Sequence, residues 1–369
     1  MTLVAQIEEK RKEIHSDAYP MSIGELINLY LDNELDIHPE FQRIYRWTEV
    51  QKSRLIESIL LGIPLPSFFV AQREDGVWDV VDGLQRLSTI FSFLGIYRDE
   101  SGNIAPPLVL KGTEYLPALE GIAWSEATSP QNFFSIDLQR AFKREKVDLK
   151  IIKKESDEQT KYELFQRLNT FGSSLSDQEV RNCLLIMIDR SFFEWIKELA
   201  NYAPFLSTLT ITERQFDEQY HLELAVRFLI LKDKSVADLR GIPDIGEYIT
   251  KQIKDIALNA DYDRDAEANK FKKTFDLLST ALLDNAFRKY DGKRYTGGFS
   301  LSIYEVMALG LGNNVNDYDV SNPEHLEKIA RVSEGLLKED RYTAKRGAGY
   351  KAADRLPHIL PLGIELLRL

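Results

Sequence analysis

The sequence predicts an α+β chain, with a short-stranded α/β region first and a mostly α-helical region after it. Two observations predict this. Before residue 155, strand-like runs interleave with amphipathic helices but lack the long βαβ alternation of a doubly wound sheet. After it, apolar residues recur almost wholly at helical spacing. At 369 residues and roughly 150 residues per domain, the chain has room for about two domains. The expected division is a lead-in over 1–20, an α/β domain over 21–155 and a helical domain over 156–369.

The elements follow in order. The N-terminal segment has a charged middle and reads as a frayed or helical lead-in, without the basic, apolar and small-residue order of a signal peptide. Ser22 and Glu25 fit a capping box opening a helix with Ile23, Leu26, Ile27 and Tyr30 on one face. Leu35 to Phe41 is extended. Thr48 and Gln51 fit a second box, ahead of Leu55, Ile56, Ile59 and Leu60, with Gly62 as the stop and Pro64 and Pro66 beyond it. Ser67 to Gln72 and Val77 to Val81 flank the turn Glu74-Asp75-Gly76 and should pair as a hairpin. A helix from Gln85 to Tyr97 follows. Ser101 to Pro130 is rich in glycine, proline and small polar residues and reads as a loop-rich insertion. Val147, Leu149 and Ile151 alternate with polar residues as a returning strand. Helices are then expected over Asp157–Leu168, Asp177–Asp189, Phe192–Ala200, Phe216–Leu231, Ile245–Leu258, Ala266–Tyr290, Leu301–Leu311, Pro323–Lys338 and Ala352–Leu367.

Composition narrows the function classes. Hydrophobic residues at 44% and charged residues at 28% are ordinary for a soluble globular chain. No apolar run reaches the roughly 18 residues of a membrane span, so a cytoplasmic location and no membrane partner are expected. A net charge of −11 argues against coating nucleic acid by bulk electrostatics, though local patches can still bind it. The single cysteine, Cys183, excludes an intrachain disulfide and a cysteine zinc cage, and its neighbours Leu184, Leu185 and Ile186 suit a buried thiol. The histidines, His15, His38, His221, His325 and His358, are scattered without paired metal-ligand spacing.

Three stretches carry candidate chemistry. In VVDGLQRLSTI, Val80 to Ile90, a strand runs through Asp82-Gly83 into a helix, which places polar groups at a helix N-terminus, where anions bind. Asp82 could hold a divalent cation or orient water, Gly83 permits the tight turn, and Gln85 and Arg86 are donors for phosphate oxygens. The same residues also fit a structural turn with Asp82 capping the helix and Arg86 in a salt bridge. Around Phe41, Tyr45 and Trp47, the polar Gln42, Arg43 and Arg46 could project toward a ligand or form a solvated loop. In LFQRLNTFGSSLSDQEVRNCL, Leu164 to Leu184, the residues Asn169, Gly172 and Ser176 mark a break between helices, flanked by Arg167 and Arg181; an ordinary inter-helix connection gives the same pattern.

Basic patches offer places for DNA. RYTAKRGAGYKAADR sets Arg341, Lys345, Arg346, Lys351 and Arg355 around Gly347 and Gly349, interleaved with Tyr342 and Tyr350 that could stack on a base. The run from Arg140 to Lys154 and the stretch Arg288 to Gly298 are weaker candidates.

Taken together, these stretches resemble the ParB-like domain at the N-terminus of GmrSD-type, modification-dependent restriction proteins. That family is marked by FQR-x-Y-x-W, matched by Phe41 to Trp47, and by LIESILLGIPLP, matched by Leu55 to Pro66. Its V-DGQQR-LT motif aligns with Asp82 to Arg86, and its F-x-R-N-T-x-G-x-x-L-S-x-x-E-x-R-N segment with Phe165 to Asn182. The resemblance covers roughly the first half of the chain and implies a ParB/sulfiredoxin-like N-terminal domain that binds and hydrolyses an NTP with Mg2+, coupled to restriction of foreign or modified DNA. By that resemblance Asp82, Gln85 and Arg86 are the catalytic candidates, Asp82 the metal ligand, and Gln42, Arg43, Gly83 and Arg86 the nucleotide contacts. Arg341, Lys345, Arg346 and Lys351 are the expected DNA contacts. Leu84 stands where the family has the first glutamine, which puts turnover in question. The His-Asn-His nuclease motif that such proteins often carry is not seen, so a separate nuclease subunit is an expected partner, and self-association is compatible with the sequence. Two alternatives stand beside an NTPase: a non-catalytic nucleotide- or DNA-binding regulatory subunit, and an autonomous nickase.

Overall fold

A mixed sheet with helices against it organises the first part of the computed structural model, which describes residue 3 and residues 16–37, 47–99, 101–153, 177–344 and 352–369. The chain divides into two compact units, Met1–Leu175 and Ser176–Leu369. The first contains, in order, β1 (Ser16–Ser22), α1 (Ile23–Leu31), β2 (Leu35–Asp36), α2 (Glu49–Leu60), β3 (Phe68–Gln72), β4 (Trp78–Asp82), α3 (Leu84–Leu94), α4 (Ile136–Arg144) and β5 (Lys146–Ile152). Its five strands run in the order β1-β5-β3-β4-β2. The predicted hairpin is β3–β4, antiparallel, while β5 pairs parallel to β3 and β2 parallel to β4.

The lead-in expected over residues 1–20 ends instead in a strand. β1 pairs antiparallel with β5 along its whole length. Five of its seven residues are exposed, so the sequence lacks the alternation that betrays a half-buried strand. Its edge position also tolerates Pro20, since an edge strand has one side that donates to no neighbour. The helix starts follow their caps. Ser22 Oγ accepts from the Glu25 N–H, and Thr48 with Gln51 forms the reciprocal box. The core is built from Leu26, Ile56, Phe68, Val70, Val80, Leu87, Ile90 and Leu149, each buried.

The loop-rich insertion is fastened to this frame. Glu57, buried in α2, accepts from the Thr113 hydroxyl and from the N–H groups of Tyr115 (3.2 Å) and Leu116 (3.0 Å). Ser53, one turn earlier, accepts from the Lys111 N–H at 2.8 Å. Farther along, Trp124 and Phe134 close edge-to-face or tilted contacts with Phe93 of α3 and Phe142 of α4, with ring centroids 5.0–6.2 Å apart. A segment that looks like an excursion is part of the core because four aromatic rings bury each other there.

The second unit is helical: α5 (Asp177–Ala200), α6 (Ala203–Ser207), α7 (Glu213–Asp217), α8 (Tyr220–Leu231), α9 (Val236–Leu239), α10 (Ile245–Ala257), α11 (Arg264–Leu282), α12 (Leu301–Asn314), α13 (Pro323–Gly335), α14 (Asp340–Thr343) and α15 (Ala352–Leu366). The two helices expected over 177–200 are one run broken at Asp189, whose φ of −154° leaves the helical region and whose carboxylate accepts from Ser191 Oγ and the Phe192 N–H. The helix expected over Phe216–Leu231 is split by Gln219 at φ 59°. That expected over Ala266–Tyr290 stops at Leu282, followed by Leu283 at φ 50°, and its last residues form the hairpin of β6 (Lys289–Tyr290) with β7 (Tyr295–Thr296). The helix expected over Asp157–Leu168 lies outside the described residues. At the centre of this unit Glu305 is fully buried and receives both arms of the Arg355 guanidinium, at 2.7 and 2.9 Å.

Candidate functional site

Gly83 decides the geometry of the turn. It carries φ 99° between β4 and α3, a left-handed conformation open to glycine at little steric cost. A Cβ built there would come within 2.4 Å of the Phe68 ring. Helix α3 begins immediately, with Gly83 as its N-cap, so no side chain caps it. The first N–H groups of a helix have no intrahelical acceptor, and together with the helix dipole they favour an anion.

Three side chains gather at this N-terminus. Asp82, at the end of β4, has a side chain one-third exposed, and its Oδ2 lies 3.2 Å from Arg86 Nη2. Gln85, half-buried, has its Oε1 shielded from solvent without a hydrogen-bond partner among the described residues. A buried amide oxygen without a partner is costly, and a ligand or ion would satisfy it. Leu84 is half-buried and packs against the hydrophobic core. The position where the resemblance implies a glutamine is therefore an apolar packing position in this chain.

Arg86 turns inward. It is 9% exposed, donates to the carbonyls of Pro66 and Ser67 as well as to Asp82, and its Cζ lies 4.4 Å from the Phe68 ring centroid. Burial pulls its pKa below the usual arginine value, with the Asp82 carboxylate pulling the other way. The guanidinium thus ties the end of the LGIPLP loop to the end of β4, and the salt bridge between Arg86 and Asp82 that the sequence allowed is present. The sequence marks Pro66 beyond a helix stop and Ser67 as a strand start but neither as a partner of Arg86, because a backbone acceptor leaves no residue-type signal.

The other expected contacts are placed in part. Gln42 and Arg43 lie outside the described residues, as does the Leu164 to Ser176 part of the last motif. From that motif Arg181 and Asn182 are buried within the helical unit. Arg181 donates to Thr250 Oγ1 at 3.0 Å and to Gln178 Oε1 at 2.8 Å, and the Asn182 amide donates to Gln219. These two side chains anchor α5 to its neighbours.

Of the expected DNA contacts, Lys345, Arg346 and Lys351 lie outside the described residues. Arg341 makes a two-armed ion pair with Glu365 at 2.8 and 3.0 Å on the surface. Two companions of that patch are corrected. Tyr342 is buried with its hydroxyl 2.8 Å from Ser302 Oγ, and Arg355 is committed to Glu305, so neither is free to meet a base or a phosphate. The stretch from Arg288 to Gly298 forms the β6–β7 hairpin, with Arg288 Nε donating to the Gly297 carbonyl at 2.8 Å. Among the described residues, no group of three or more His, Cys, Asp or Glu side chains could hold a metal ion. None of the described helices is long and apolar enough to cross a membrane.

Residues 23–186 match the family model for the GmrSD restriction endonuclease, N-terminal domain. The match takes in the whole of the Gly83 turn, its supporting strands and the start of α5. A comparison with curated proteins finds no match.

Proposed function

From the match of residues 23–186 to the GmrSD restriction endonuclease N-terminal domain, we propose that the chain is a restriction-system protein with an NTP-binding and NTP-hydrolysing activity seated at the Gly83 turn and coupled to attack on foreign or modified DNA. The observation that carries this reading is the uncapped N-terminus of α3, with the orphaned Gln85 Oε1 and the half-free Asp82 carboxylate beside it. The α3 N–H groups suit phosphate oxygens, and the Gln85 amide suits a phosphate or an attacking water. Asp82 would hold the magnesium ion, since Arg86 engages its Oδ2 and no hydrogen bond is made by Oδ1 among the described residues. What the ion supplies when bound is neutralisation of phosphate charge. Arg86 adds fixed positive charge and holds Asp82 in place. DNA and a separate nuclease subunit are the partners that this reading calls for.

The test is phosphate release from each of the four common NTPs with magnesium, with and without plain or cytosine-modified DNA. Arg86→Ala is expected to abolish turnover, but it also strips a clamp from two carbonyls, at a cost of about 1–3 kcal/mol of stability. Asp82→Asn and Gln85→Ala leave that clamp's backbone contacts intact and are expected to lower kcat by about a hundredfold. Turnover unchanged in both variants would remove the catalytic assignment. A second reading is favoured by Leu84: nucleotide bound without turnover, in a regulatory subunit of a partner nuclease. Magnesium-dependent NTP binding with no phosphate release in the wild type would select it.

A further inference from the structure

With Arg86 turned into the protein and its charge offset by Asp82, a polyphosphate at the α3 N-terminus needs further positive charge from another side chain. The sheet register brings one into line. Asp82 on β4 is the cross-strand partner of Phe69 on β3, and Phe69 is in turn the partner of Lys150 on β5. The three residues lie abreast, with neighbouring strands about 4.8 Å apart, which sets Lys150 roughly 10 Å across the sheet from Asp82. A lysine stem covers more than half of that distance.

Phe69 and Lys150 both stand on the exposed side of the sheet. Phe68 is buried in the core, so Phe69, next along β3, faces the other side of the sheet and is half-exposed. On β5 the residues Val147, Leu149 and Ile151 face the core, while Lys146, Asp148 and Lys150 are exposed. The Lys150 ammonium lies 5.2 Å from the Phe69 ring centroid, a cation–π contact that holds the side chain over the ring. No carboxylate among the described residues pairs with it. Asp148, two residues back on the same face, forms no ion pair with it, whereas the nearby Lys153 is 3.4 Å from Asp17.

Resting on the nucleotide reading above, we propose that Lys150, held over Phe69, is a phosphate-binding cation of that site and takes the polyphosphate of the NTP. The contact with Phe69 keeps the ammonium extended over the sheet at little loss of charge, and the phosphate oxygens would replace part of its hydration. This role belongs to binding rather than to chemistry, so it appears in Kd and KM and spares kcat.

The experiment compares the full chain with Lys150→Met, Lys150→Arg and Phe69→Leu, by equilibrium binding of each of the four NTPs with magnesium and by steady-state hydrolysis. Lys150→Met is expected to raise Kd and KM about tenfold, as removal of one charge-assisted hydrogen bond does, with kcat and the thermal unfolding midpoint unchanged. Lys150→Arg is expected to restore affinity to within about threefold, and Phe69→Leu to weaken it a few-fold by releasing the ammonium. Wild-type affinity in Lys150→Met would overturn this assignment and leave the nucleotide reading standing. No binding of any NTP by the wild type would overturn both.

Discussion

Leu84 shows how a single residue's surroundings decide what its substitution means. The sequence resemblance would put a glutamine in its place, but the side chain here is half-buried against the core. Leu84→Gln should therefore leave phosphate release within about threefold of wild type, while lowering stability by roughly 1 kcal/mol because less apolar surface is buried; a large gain in turnover would mean that the leucine has displaced a catalytic amide. Lys52 of α2 gives a pH signature. Burial lowers its pKa from 10.5 to about 8, against the opposing charge of Glu49. Between about pH 8 and 10.5 the unfolded chain holds a proton that the folded chain has released, so stability rises with pH across that window. Below it both states are charged and the cost of burying the ammonium is fully present. Urea midpoints of wild type and Lys52→Met should draw together as pH rises through the window.

Among elements, helix packing in the second unit leaves the least room for change. Helices α12 and α15 touch through glycine: a Cβ on Gly310 would meet the Gly363 backbone at 2.4 Å, and one on Gly363 would meet the Val306 carbonyl oxygen at 2.4 Å. Backbone cannot give way as a flexible side chain can, so Gly363→Ala is expected to cost about 1–3 kcal/mol and to lower the unfolding midpoint by several degrees. Gly335→Ala, where nothing lies within 4 Å of the added carbon, is the control and should be neutral or mildly stabilising. Differential scanning calorimetry on both variants checks the contrast. The same scale explains which elements were legible. Thr48 with Gln51 and Ser22 with Glu25 announced their helices because a cap is a local bond between neighbours in sequence. The breaks at Gln219 and Leu283 did not, because each is a non-glycine residue held at positive φ by its tertiary setting, against its own preference.

For the whole molecule, the acidic balance and the placed arginines constrain where DNA can be met. With a net charge of −11, any interaction with DNA must be local. Arg341 is paired with Glu365 and Arg355 with Glu305, while the other expected contacts, Lys345, Arg346 and Lys351, lie outside the described residues. Replacing those three together by alanine should weaken binding of duplex DNA and reduce the slope of log affinity against log salt by up to about 3, one for each phosphate no longer neutralised, whereas Arg341→Ala alone should change the slope little. Filter binding at several salt concentrations separates the two outcomes.

What the sequence determined by itself is the local and the periodic: the α+β class, the hairpin around Glu74-Asp75-Gly76, the capped helices and the Asp82-Gly83 turn into α3. These rest on bonds and spacings between residues close along the chain. The tertiary structure decided the rest. It paired β1 with β5 across more than a hundred residues, buried Glu57 under the insertion, turned Arg86 onto the carbonyls of Pro66 and Ser67, and set Lys150 in line with Asp82. Each of those outcomes depends on which strand lies next to which, and on backbone acceptors that every residue type shares, so no pattern of side chains along the chain could announce them.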